Sequence, residues 1–138
     1  MLKKLWVYFI IVLSIISIYA ANRKPLFIDY NDTFVLYTQS NSSNCVFEYV
    51  TSLEYAFYFS VYGEACQTDR DKFNIDEFLD KFNAQILFSE QTENETIYYA
   101  RSNSVKYSRV VNGQRVNLQI VIAKEKVFLG SPIVYGSF

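Results

Sequence analysis

An α+β fold, a mostly antiparallel sheet with one main helix packed on one face, is what this chain predicts, and three observations predict it. Ile75, Phe78, Leu79 and Phe82 recur at i, i+3, i+4 and i+7, a single helical stripe. Period-two alternation follows, clearest in Val116, Leu118, Ile120 and Ile122. Asn112-Gly113 sits between two alternating runs, a strong hairpin signal because both central residues need positive φ. One helix covering one face of such a sheet buries the apolar side of both.

Residues 1–20 read as an export segment. Met1-Leu2-Lys3-Lys4 is a basic start, Leu5 to Tyr19 is apolar apart from scattered Ser and Tyr, and Ala20-Ala21 offers small residues for cleavage. The apolar run, roughly 15–17 residues, is shorter than the ~20 that usually span a bilayer. Ile18 is bulky for the −3 position of a cut after Ala20, so a retained signal anchor stands beside a cleaved signal peptide. Both readings place the chain in the secreted fraction or on the extracytoplasmic face of the cell membrane. Membrane contact is expected only through that N-terminal anchor.

Residues 21–44 begin as a linker and end in a Ser/Asn-rich loop, and are expected to form a flexible N-terminal segment with one short strand, Phe34 to Thr38. Residues 45–138 then form a single domain. Residues 45–62 look like two strands or one long bent one, with Tyr55, Phe57, Phe59 and Val61 on one face and Gly63-Glu64 as the turn that ends it. Residues 73–83 are the helix. Asn74 is placed to cap it, Glu77 to complete the box, and Phe73 to pack on Phe78 as a staple. Asn83 suits the left-handed position that ends it. Strands are expected over Gln85 to Glu90, Glu95 to Ala100, Val105 to Val111, Gln114 to Ala123 and Val127 to Leu129. Ser131 to Tyr135 reads as a last edge segment, because Pro132 has no amide to donate.

Charge and composition exclude several functions. Removing residues 1–20 takes out Lys3 and Lys4 and no acid, so 13 basic residues become 11 against 14 acids, a net charge of about −3. Scattered basic residues on an acidic chain argue against nucleic-acid binding, which needs clustered positive charge. The chain contains no His, so neither a Cys–His nor a Ser–His nucleophile can be built. The acids of 69–80 fail the calcium-loop pattern, with Phe73 and Asn74 where an oxygen ligand and a Gly are needed. No catalytic residue, metal or cofactor is therefore assigned.

The remaining candidates are weaker. Cys45 and Cys66 are a candidate disulfide in an oxidising compartment, closing a loop of about 20 residues and contributing on the order of 3 kcal/mol. Tyr58, Tyr62, Tyr98 and Tyr99, with Asn117 and Gln119 beside them, are a candidate binding face, since Tyr gives large, stiff contact area. Routine cross-strand Tyr packing is the competing account. Glu90 and Glu95 flank a turn. They are the pair that an alternative function, a small extracytoplasmic enzyme acting on cell-envelope glycan through carboxylates, would use.

"FLDKFNAQ" (Phe78 to Gln85), "VNLQIVIA" (Val116 to Ala123) and "LGSPIV" (Leu129 to Val134) resemble the C-terminal part of the YwmB family over roughly 60 residues. Those are exported Gram-positive bacterial proteins with a fold similar to the TATA-box-binding protein. The resemblance implies an extracytoplasmic protein shaped like one half of that fold, with no catalytic residues to carry over. Family members are about twice as long, so this chain either lacks one half or pairs with itself. The expected function is a non-catalytic binding or interaction module, with an envelope protein or glycan, or a second copy of the chain, as its partner.

Overall fold

The computed structural model describes residues 2–38, 47–58 and 60–135; of Leu2 and Phe47 only the backbone is described. The elements run α1 (Leu2–Asn22), β1 (Thr33–Tyr37), β2 (Phe47–Thr51), α2 (Ser52–Tyr55) and β3 (Gly63–Asp69). A 3-10 turn (Arg70–Lys72), α3 (Ile75–Lys81), β4 (Ala84–Gln91) and β5 (Glu95–Ser102) follow. The chain closes with β6 (Arg109–Val111), β7 (Gln114–Val116), β8 (Leu118–Ala123) and β9 (Lys126–Ser131). Seven strands form one sheet in the order β2-β1-β3-β9-β8-β5-β4, and β6 with β7 forms a separate ribbon. Every pairing is antiparallel, and the α+β class expected above holds.

Alternation sorts the sheet into two faces. Phe34, Leu36, Cys66, Leu129, Val127, Leu118, Ile120 and Ala100 point to the side of α3 and make the main core with Phe78. Phe78 stacks on Phe27 at 6.2 Å and meets Phe73 at 5.6 Å and Phe82 at 4.8 Å. The Phe73–Phe78 contact is the staple read from sequence. Asn74 caps the helix by accepting from the amides of Asp76 (2.9 Å) and Glu77 (3.2 Å), and Asn83 takes φ 46° beyond its end. Asn74→Ala is expected to cost about 1 kcal/mol, readable as a lower urea midpoint with unchanged slope.

The opposite face is covered differently. Val35, Tyr37 and Ala65 form a small second cluster under Tyr135. Chain beyond β9 folds back across the sheet here, and Gly130 is what permits it: a Cβ there would lie 2.5 Å from the Val134 amide nitrogen. The Gln119 side chain, opposite Gly130, accepts from that same amide at 2.7 Å. Beyond the fold-back, Phe88, Ile97 and Phe128 stay half-buried on the same face.

Several expectations need correction. Residues 21–44 are not a flexible lead over the part described: Phe27 and Phe34 are fully buried and β1 is an interior strand. Residues 52–62 are not a strand. Thr51 and Glu54 form a reciprocal capping box that starts α2, and this outcompetes the aromatic alternation. Gly63-Glu64 opens β3 instead of ending an element. Residues 114–123 break at Asn117, which leaves the ladder. Residues 131–135 are no edge strand, since β9 lies in the middle of the sheet and Pro132 follows it through a cis peptide. The Asn112-Gly113 hairpin forms as read, with φ 49° and 74°.

Candidate functional site

Along β3, Glu64 alternates onto the core face with Cys66, between Leu36 of β1 and Ser131 of β9. Its carboxylate has no exposed surface, and among the described residues it is the only buried acid. Four groups surround it. The amides of Leu26 and Phe27 donate to it, the Tyr55 hydroxyl donates at 2.9 Å, and the Arg23 guanidinium lends positive charge. Tyr107 hydrogen-bonds Tyr55.

Burial dominates this balance. It pushes the Glu64 carboxyl up to about 7, even though the four partners pull the other way. Burial also raises the Tyr55 and Tyr107 hydroxyls, reinforced by the Glu64 charge. It raises the Cys66 thiol too, again with Glu64 adding to the effect, so at neutral pH Cys66 is a buried neutral thiol and a poor nucleophile. The arrangement clamps residues 23–27 onto β3, α2 and the 105–108 segment, and it can hold or release one proton near neutrality. Sequence reasoning missed Glu64 because Gly63 signalled a turn, and Glu64-Cys66-Thr68 carries no apolar alternation that marks an inward face.

The six residues of the expected binding face fall in different places. Asn117 is buried. Its Oδ1 accepts from the Ser102 amide at 2.7 Å, and its Nδ2 donates to the carbonyls of Ser102 (2.5 Å) and Val105 (3.3 Å). It thus pins the turn after β5. Asn117→Ala strands those backbone groups and is expected to cost about 2–4 kcal/mol in denaturant unfolding. Gln119 is buried beneath the fold-back. Tyr98 packs on the α3 side, while Tyr99 faces the other way, stacked on Phe88 at 4.5 Å with its hydroxyl on Glu90 at 3.2 Å. Tyr58 packs at the core margin and donates to Glu48, and Tyr62 is exposed, its amide on the Tyr37 carbonyl at 2.8 Å. The structure therefore brings Tyr99 and Gln119 together across β5 and β8, and leaves Tyr58 beside α2 and Tyr62 at the Tyr37 end of β1.

The acidic candidates are spread over the surface. Glu90 and Glu95 share a sheet face as diagonal neighbours of the β4–β5 hairpin, Glu90 opposite Ile97 and Glu95 opposite Ala123. A shallow cavity of about 250 Å³ is lined by Glu95 but not Glu90. A cleft of about 400 Å³ runs between residues 28–32 and β3. Asp69 lines it and holds Lys126 at 2.6 Å and Lys72 at 3.0 Å; those hydrogen bonds and charges lower its carboxyl to about 2. Cys45 lies outside the described residues, and with it the expected Cys45–Cys66 disulfide. At the other end of the chain, α1 is exposed along its length, and Lys3–Asn22 is long and apolar enough to cross a membrane. Comparison with family models, curated proteins and solved structures finds no match to this chain.

Proposed function

We propose that this chain is a membrane-tethered, extracytoplasmic binding module. The observation that carries the reading is α1. Its 21 residues rise about 31 Å, close to the ~30 Å apolar thickness of a bilayer. Its large apolar side chains, from Leu5 to Tyr19, are turned outward and find no cover in the domain. Lys3 and Lys4 flank its start and suit the cytoplasmic side, while Arg23 after its end is held by the domain. The resemblance in three short stretches to exported YwmB proteins points the same way.

A binding role fits the interior of the domain. Its buried side-chain polar atoms, among the described residues, are all satisfied by structural partners. The half-covered sheet face around Phe88, Ile97, Tyr99, Val121 and Phe128 is the surface we assign to an envelope protein or glycan. Membrane fractionation of cells producing the full chain tests the tether. The expected result is a chain retaining Met1 to Asn22 that resists alkaline extraction and is digested by protease added outside. Recovery in the medium of a chain beginning at Ala21 would replace the tether with cleaved secretion.

A further inference from the structure

We infer that the α2 turn is a lipid-docking surface, which seats the domain against the outer leaflet of the membrane that α1 crosses. This deepens the tethered reading and rests on it. Outside α1, the two most exposed large apolar side chains among the described residues are Leu53 and Phe57, at 82% and 75%. Both belong to one turn. The Phe57 amide closes it on the Glu54 carbonyl at 3.0 Å, and the Tyr58 amide on the Tyr55 carbonyl at 3.2 Å. The core uses Tyr55 from this turn and leaves Leu53 and Phe57 outside.

What places lipid there is the junction with α1. Asn22 ends the helix, and Pro25 is already buried in the domain, so the intervening chain spans at most about 11 Å. Arg23 donates to the Tyr58 carbonyl, and its guanidinium lies over the rings of Tyr19 in α1 (5.9 Å) and Tyr55 in α2 (5.4 Å). The exit of α1 and the α2 turn are therefore stitched through one residue. The headgroup layer is about 5–7 Å deep on each side of a bilayer, the same order as that link, so the turn lies in the layer or against its outer border. Tyr19 and Arg23 are residue types that favour that depth. Glu54, the acid in α2, is turned back onto the Thr51 amide at 2.8 Å.

Tryptophan depth measurements decide it, because Trp6 in α1 is the only Trp in the chain. The full chain is reconstituted in phosphatidylcholine–phosphatidylglycerol vesicles carrying acyl chains brominated near the headgroup. Leu53→Trp, Phe57→Trp and, on β4 at the sheet edge opposite β2, the exposed Gln91→Trp are each made with Trp6→Phe. The expected result is blue-shifted emission quenched about twofold or more for the first two, and water-like, unquenched emission for the third. If Leu53→Trp and Phe57→Trp behave like Gln91→Trp while Trp6 of the native chain, read with bromine placed deep in the acyl chains, is quenched, the docking surface is refuted and the tether stands. If Trp6 is also unquenched, both fall.

Discussion

Replacing Glu64 by Gln is expected to abolish a loss of stability that the native chain suffers between pH 5 and pH 8. In the unfolded chain this carboxyl titrates near 4.5, and burial lifts it to about 7 in the folded one. Between those values the folded state binds more protons than the unfolded state, so stability falls as pH rises. Stability is highest below the unfolded value and has lost the full contribution once pH passes the folded one. A shift of this size corresponds to on the order of 3 kcal/mol. Glutamine keeps an oxygen for the Leu26 and Phe27 amides and an amide that can donate to Tyr55, without a charge to bury. Urea unfolding at the two pH values reads the difference directly. Equal pH slopes for Glu64→Gln and the native chain would show that the carboxyl is solvated in solution.

The second large effect concerns where the domain begins. Phe27→Ala removes a fully buried ring that contacts Phe78 and Phe82, and a loss of about 3–5 kcal/mol is expected. That is a large share of the 5–15 kcal/mol typical of a domain. A chain beginning at Ala21 keeps Phe27, β1 and the Leu26 and Phe27 amides that satisfy Glu64. It should unfold cooperatively on heating. A chain beginning at Cys45, the domain boundary read from the sequence, lacks all of them. It should show no thermal transition, and a normal transition there would mean that residues 23–37 are dispensable.

These two results bear on what was legible in the sequence. The α3 cap, its staple and the Asn112-Gly113 hairpin were readable because each is a signal within five or six residues. β4, β5 and β8 were readable because their alternation is strong. The Thr51–Glu54 box is equally local, but alternating aromatics from Tyr55 to Val61 masked it. Glu64 and Asn117 could not be read, since their partners lie 38 and 9 residues or 15 and 12 residues away in the chain. A polar residue becomes a clamp only when distant backbone arrives beside it. Tyr98 and Tyr99 show the same limit in the expected binding face: adjacent in sequence, they face opposite sides of the sheet.

The position of β9 has a consequence for the order of assembly. β2, β1 and β3 form one half-sheet and β8, β5 and β4 another, and β9, the last of the described strands, lies between them. A chain emerging N-terminus first therefore carries two half-sheets with unpaired inner borders until residues 126–131 are free to enter. Closure waits for residues 126–131, and the long-range pairings they then make are slow to form. Under the export proposed above, the chain stays threadable until residues 126–131 arrive. The sheet locks only when β9 has entered between β3 and β8.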